Sequence, residues 1–372
     1  MIRYSEQLID TDDMDGVAEV LQSKFLTQGP LINEFENRLA DLTRSKYAAC
    51  VSSATAALHL TYLAAGMTKG SLVWTVANTF VATASAAVHC GATVDFVDIE
   101  LKNYSICIEQ FKFKLLEAPR APDFLIVVHF AGRAVDLKEI APLCKQYGIK
   151  IIEDASHALG AECNSRMVGQ CEYSLACIFS FHPVKTITTA EGGAVTSNDE
   201  KLISEIKMLR NHSIEADHRI PWYKDQTRVG FNYRMSELQA SLGISQLKKL
   251  SKFMKIRKDK ASIYFSELAN VDIKLPSSDS NYSISSWHLF ILRSNVINEE
   301  TRNQNMFKML KENIGVNLHY FPLYRLNSFK RDLHNFTNNE DYFKSAFSIP
   351  LNLKMSEEEQ NKVIKSIKCI FD

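Results

Sequence analysis

Apolar residues recur along this chain with two different periods, and the alternation between them is its most regular feature. Residues 12–22 read as a helix with an acidic start, and residues 31–42 as a second, with Ile32, Phe35 and Leu39 on one face. Short apolar runs then follow at 47–51, 72–76, 94–98, 124–129 and 149–153, with helical segments at 56–65, 80–89, 111–117 and 137–147 between them. Near-continuous apolar strands separated by helices predict an α/β fold, with a mostly parallel sheet covered on both faces. Ligands of such sheets gather at the carboxyl ends of the strands.

Past a further apolar run at 174–181 and a helix at 200–210, the pattern loosens. Residues 211–225 are irregular and rich in His, Pro and aromatics, and a long helix then runs through Leu250. The basic stretch 252–260 reads as the exposed face of a connecting helix, so a domain boundary is placed near residue 250. Residues 287–292, 306–312 and 316–320 predict a smaller α/β unit with a few antiparallel strands, closed by a helix at 357–370.

Composition narrows the function without naming it. The 372 residues, with 46% hydrophobic and 23% charged, are enough for a large core and more than one domain. With 43 basic and 43 acidic residues and no long block of one sign, neither nucleic acid nor an anionic membrane is expected as a partner. The longest apolar run, residues 80–97, is broken by Thr, Ser, His, Gly and Asp and is too interrupted to span a bilayer. No apolar leader segment opens the chain, and the eight cysteines are scattered without a C-x-x-C pair. Buried free thiols in a cytoplasmic enzyme account for them better than disulfides or a metal site.

Chemistry concentrates at three strand ends. Lys185 closely follows the apolar run 174–181 and precedes Glu191-Gly192-Gly193. An ammonium so near a buried strand needs a carboxylate partner or a covalent bond, and a desolvated amine has the lowered pKa that a Schiff-base lysine requires. Most of the 43 Lys and Arg are solvated surface groups, so this position stands out by context alone. The second strand end is the turn Ser52-Ser53-Ala54-Thr55 between a strand and a strong helix former, which reads either as ordinary helix capping or as a phosphate-binding helix N-terminus. Asp154 is the third; it reads either as half of a structural ion pair or as the partner of a protonated pyridine nitrogen. His157 either orients Asp154 or is a helix-start histidine. There is no G-x-x-x-x-G-K-[ST], G-x-G-x-x-G after a strand, H-E-x-x-H or G-x-S-x-G.

Taken together, Leu26–Pro30, Ser52–Leu58, Thr79–Thr83, Glu153–His157, Phe179–Lys185, Thr189–Gly193 and Gly230–Arg234 resemble, in order, the motif series of the DegT/DnrJ/EryC1/StrS sugar-nucleotide aminotransferases, a branch of the fold-type I pyridoxal phosphate enzymes. The likeness covers at least residues 4–250. Ser-Ala-Thr at 53–55, Ser156–Gly160, Ile187–Val195, Leu242–Lys249 and His319–Tyr324 are similar to the branch of that family serving pseudaminic acid synthesis.

The resemblance implies a large cofactor-binding domain, residues 1–250, around a mostly parallel seven-stranded sheet, and a small domain, residues 251–372. It implies pyridoxal 5′-phosphate as cofactor, no metal, and a homodimer with shared sites. Lys185 would bond the cofactor and shuttle the proton, Asp154 would meet the ring nitrogen, and Phe80 would stack on the ring. Ala54, Thr55, Ser180 and Asn232 of the other subunit would hold the phosphate, with His157 also at the cofactor. Tyr4, Lys24, Phe25, Leu26 and Thr27, together with Tyr320, Phe321, Pro322 and Leu323, would line the sugar-nucleotide pocket, which Ala54, Ser180 and Asn232 also border. The implied reaction carries the amino group of L-glutamate to C4 of a UDP-linked 4-keto-6-deoxy-N-acetylhexosamine. Relatives acting at C3 or C4 of dTDP- or GDP-linked sugars share the motifs. A pyridoxamine-dependent dehydratase would lack the lysine, and a non-catalytic sensor would not need the full residue set.

Overall fold

The computed structural model describes residues 1–216, 220, 222–332 and 335–371. Two helices open the chain, α1 (Thr11–Gln22) and α2 (Pro30–Thr43). The first is capped reciprocally by Asp10 and Asp13; the second starts on Pro30, whose missing N–H costs nothing at a first helical position.

The central sheet is built from β1 (Tyr47–Val51), β2 (Leu72–Val76), β3 (Thr93–Val97), β4 (Phe124–Val128) and β5 (Lys150–Asp154), then β8 (Ala176–Ser180) and β9 (Gly193–Ser197). A short hairpin, β6 (Glu162–Cys163) and β7 (Arg166–Met167), intervenes without joining it. The order is β1-β9-β8-β5-β4-β2-β3. β9 alone runs against its neighbours β1 and β8, and the pairs β2–β3, β2–β4, β4–β5 and β5–β8 are parallel. This is the mostly parallel seven-stranded sheet that the apolar runs and the motif series predict.

Side chains alternate across the strands, so each face has its own core. Ile126, Ile152, Ile178 and Val195 pack under α3 (Ala54–Ala64), α4 (Ala82–His89) and α7 (Glu200–Leu209). Leu125, Val127 and Ile151 face α5 (Ile108–Glu117) and α6 (Ile140–Gln146), while Cys50, Cys177 and Phe179 meet α2 and α8 (Glu237–Lys248). The eight cysteines are all free; Cys50, Cys144, Cys171 and Cys177 are buried.

Several boundaries differ from the sequence reading for local reasons. Helix α3 begins at Ala54 because Ser53 caps it, and α4 begins at Ala82, leaving Phe80 outside the helix and exposed. The irregular stretch 211–225 contains the hairpin strands β10 (Ile214–Ala216) and β11 (Lys224–Gln226); residues 217–219 and 221 of it lie outside the described residues. The helix through Leu250 breaks at Lys249, and α9 (Leu250–Glu267) carries the basic stretch.

C-terminal to α9, β12 (Ile273–Lys274), β14 (Phe290–Ser294) and β15 (Ala346–Ile349) form an antiparallel sheet, while β13 (Ser283–Ile284) extends the β6–β7 hairpin. Helices α10 (Glu299–Lys311), α11 (Thr337–Ser345) and α12 (Glu357–Phe371) cover it. Residues 316–320 make only an isolated bridge, Asn317 to Ser348, and are not a strand. Ile2 packs into the core of this unit and bridges Ile314, so the start of the chain is tied to its C-terminal third. Among the described residues no helix is long and apolar enough to cross a membrane.

Candidate active site

A cavity of about 420 Å³ opens where β4, β5 and β8 end. Those strands deliver Val128, Asp154 and Ser180 to its floor, and the turn after β8 adds Lys185. That turn is held by the Lys185 N–H on His182 O (2.9 Å) and by Ser5 Oγ donating to Val184 O (2.9 Å).

Asp154 is buried and fully anchored. The Ser156 N–H (3.1 Å) and Ser156 Oγ (2.6 Å) donate to its Oδ1, and Thr83 Oγ1 donates to its Oδ2 (2.7 Å). With Thr83 donating there, the 2.8 Å contact between Thr79 and Thr83 is a donation from Thr79. These neutral donors orient the carboxylate, which makes no ion pair among the described residues and acts on Lys185 only through longer-range electrostatics. Burial lowers the Lys185 amine from 10.5 to about 8, against the opposing pull of Asp154.

One end of the cavity lies at the start of α3. Ser53 Oγ accepts the Ala56 N–H (3.1 Å), while Ala54 and Thr55 occupy the first two helical positions, whose N–H groups have no partner within the helix. β9 begins in direct contact with this turn. A Cβ on Gly193 would lie 2.5 Å from Ala54 N, and one on Gly192 would lie 2.1 Å from Thr189 Oγ1. The glycine pair is therefore required by close approach.

The other wall combines aromatics and imidazoles. Phe80, 57% exposed, has its ring 6.0 Å from that of Tyr320, and Tyr320 Oη is 2.9 Å from His157 Nε2. His288 and His319 also line the cavity. Burial and the nearby Lys185 charge push His157 and His288 well below the usual histidine range and His319 down to about 3, so all three are neutral.

The cavity thus brings together Tyr4, Ala54, Thr55, Phe80, Asp154, His157, Ser180, Lys185 and Tyr320. It leaves out Lys24, Phe25, Leu26 and Thr27, which are exposed in the loop between α1 and α2. Asn232 is exposed beyond the cavity of its own chain. Phe321 packs on Phe343 at 5.4 Å, Pro322 is buried, and Leu323 lies in the core beneath α3 and α4. Thr79, Thr83 and Ser156 join the site without being expected from the sequence, although they lie within the stretches Thr79–Thr83 and Glu153–His157. His288 carries no such signal, because it sits in residues 287–292, whose apolar pattern predicts only a part of the smaller α/β unit.

Residues 7–368 match the DegT/DnrJ/EryC1/StrS aminotransferase family. The chain belongs to that family. Its relatives include a UDP-4-amino-4,6-dideoxy-N-acetyl-beta-L-altrosamine transaminase of Campylobacter jejuni, 38% identical over 100% of this chain and 98% of that protein. A GDP-perosamine synthase of Vibrio cholerae is 29% identical over the whole of both chains. Among solved structures, a putative sugar aminotransferase of Streptococcus pneumoniae in its PMP form superposes with a TM-score of 0.93 at 28% identity, covering 100% of this chain and 99% of that one. Helicobacter pylori PseC, an aminotransferase involved in the biosynthesis of pseudoaminic acid, gives 0.92 at 30% identity over 100% and 99%. The fold is that of the fold-type I aminotransferases, and the chain is a pyridoxal phosphate-dependent sugar aminotransferase. The residues fit that cofactor: a free helix N-terminus for its phosphate, a half-buried amine with a lowered pKa for its carbonyl, and, for its ring nitrogen, an anchored carboxylate that makes no ion pair among the described residues.

Proposed function

We propose that this family member carries the amino group of L-glutamate to C4 of a UDP-linked 4-keto-6-deoxy-N-acetylhexosamine, in a pathway of the pseudaminic acid type. The observation that supports this substrate above others is the 38% identity, over its full length, to a transaminase named for such a sugar. The GDP-perosamine synthase relative keeps a GDP-linked keto-sugar as the second reading.

In this reading Ala54, Thr55 and Ser180 hold the cofactor phosphate, Asp154 holds the proton on its ring nitrogen, and Phe80 stacks on its face. The cofactor, when bound, supplies the electron sink that makes the substrate carbon acidic. Lys185 Nζ would carry the proton between the substrate carbon that bears the amine and C4′ of the cofactor. An amine that titrates near 8 divides between base and acid forms at neutral pH, which suits both directions of that transfer. Asn232 completes the phosphate site of a second copy in a homodimer, and its exposure fits that role. The exposed segment Lys24–Thr27 and Phe321 complete the sugar-nucleotide pocket together with Tyr4 and Tyr320. Pro322 and Leu323 support that pocket from below rather than touching the ligand. Residues 1–250 form the cofactor-binding domain and 251–372 the smaller one, in a cytoplasmic enzyme.

Incubating the protein with glutamate and a panel of UDP-, GDP- and dTDP-linked 4-keto- and 3-keto-sugars tests the substrate. The expected result is fastest amination of the UDP-linked 4-keto-6-deoxy-N-acetylhexosamine. Preferred turnover of a GDP- or dTDP-linked sugar, or amination at C3, would overturn it.

A further inference from the structure

Two hydrogen bonds decide which ring nitrogen of His157 carries the proton. The Ala131 N–H donates to Nδ1 at 3.3 Å, so Nδ1 presents a lone pair. Nε2 faces Tyr320 Oη at 2.9 Å. A neutral imidazole with an acceptor at Nδ1 is protonated at Nε2, and His157 therefore donates to the tyrosine oxygen. Its surroundings keep it neutral. Burial disfavours its charged form first and the Lys185 charge second, the neutral His288 ring is 4.3 Å away, and a second proton on Nδ1 would face the Ala131 N–H directly.

The consequence falls on Tyr320. A phenolic O–H lies near the ring plane, and His157 occupies one side of the oxygen, so the hydroxyl proton turns to the other. Among the described residues no acceptor takes it. The ring itself is well fixed: its backbone N–H is on Asn78 Oδ1 (3.1 Å), and Phe130 and Phe80 pack at 6.1 and 6.0 Å. Burial raises the Tyr320 pKa further above its usual range, which keeps the hydroxyl protonated. Tyr320 lines the same cavity as Lys185.

We propose that Tyr320 donates its hydroxyl hydrogen bond to the carbonyl oxygen of the keto-sugar, and that His157 is the positioning residue that fixes this direction. A ketone oxygen accepts and never donates, so a hydroxyl of enforced polarity recognises it. A sugar hydroxyl, which does both, would need no such enforcement. The hydrogen bond polarises the carbonyl and separates a keto-sugar from the amino-sugar product, whose ammonium offers no acceptor there. This role rests on the keto-sugar reading above.

Cofactor-free protein labelled with ¹⁵N at histidine tests the polarity without any turnover. One imidazole, identified by its loss in His157→Gln, should stay neutral with the proton on Nε2 from about pH 5 to 8, and its Nε2 resonance should move in Tyr320→Phe. A proton on Nδ1, or titration in the usual histidine range, would overturn the proposal. In the loaded enzyme Tyr320→Phe should lower kcat for keto-sugar amination on the order of 10²-fold, with a smaller change in KM. His157→Leu should follow it, while His157→Gln, which can accept from Ala131 and donate to Tyr320, should recover most of the loss. A Tyr320→Phe enzyme that matches a wild type active on the keto-sugar sinks the donor role alone. A wild type that aminates no keto-sugar sinks the parent reading and the donor role with it.

Discussion

Two adjacent carboxylates on β5 show how one strand serves two purposes. Glu153 and Asp154 are both 5% exposed, and the alternation of the strand sends them to opposite faces of the sheet. On the back face, Glu153 is closed off. His129 Nε2 donates to Oε2 at 2.6 Å, its Nδ1 being occupied by the Val135 N–H (2.9 Å), and Ser174 Oγ donates to Oε1. On the front face, Asp154 receives only neutral donors and looks into a cavity. A buried carboxylate whose neighbours are complete reads as structural; one that is rigidly held without a direct ion pair, and faces a cavity, marks a candidate site for a charged ligand. Both faces also use a histidine whose Nδ1 is tied to a backbone N–H, so that its Nε2 proton has one destination, Glu153 behind and Tyr320 in front.

The contrast can be broken by substitution, most severely beside Asp154. Lys185→Ala should fold and lose at least about 10³-fold in transamination, together with the visible absorbance of the bound cofactor. Turnover of glutamate at the wild-type rate would remove Lys185 from the chemistry. Asp154→Asn should cost about 10²-fold or more in kcat. It also removes the charge that favours the Lys185 ammonium, so the amine pKa, already about 8, should fall further. In cofactor-free protein, the acylation rate of Lys185 should therefore rise with pH through a midpoint near 8, and through a lower one in the variant. A midpoint near 10.5 in the wild type would contradict the burial that the structure shows.

Weaker effects are expected one residue further from the charge. Thr83→Val leaves Asp154 Oδ2 without its donor and should weaken cofactor binding about tenfold, or roughly 1–2 kcal/mol, measured by titration of apoprotein. Glu153→Gln is the converse test. It should lower stability by about 1–3 kcal/mol in denaturant unfolding, through the loss of a charged acceptor for His129 and Ser174, while kcat stays within about twofold. A larger loss of kcat than of stability would mean that the back face communicates with the chemistry.

The parts of this site that were legible in the sequence are those whose signal is local. The apolar run before Lys185, the hydroxyl turn before α3 and the strand end at Asp154 each announce themselves within a few residues, and the motif series orders them. The parallel sheet was legible for the same reason, since its strands are uninterrupted apolar runs such as Phe124–Val128. What was not legible depends on distant contacts. His288 lies in an apolar stretch with no local signal of its own and lines the cavity where distant contacts dock the segment, Ser286 donating to His157 O (2.8 Å) and the Ser286 N–H to Gly132 O (2.9 Å). The β10–β11 hairpin hid in polar, irregular sequence with no apolar alternation. Leu323 sits one residue past Pro322, and the burial of both could not be read from a motif that also contains the exposed Phe321.

In the proposed reading Lys185, in the same cavity as Asp154, carries the cofactor. Borohydride reduction of the cofactor-loaded protein, followed by proteolysis and mass spectrometry, tests it most directly. The expected result is a single pyridoxyl-modified peptide containing Lys185. A modification on any other lysine, or none on a protein that retains its visible absorbance, would rule out Lys185 as the residue that bonds the cofactor.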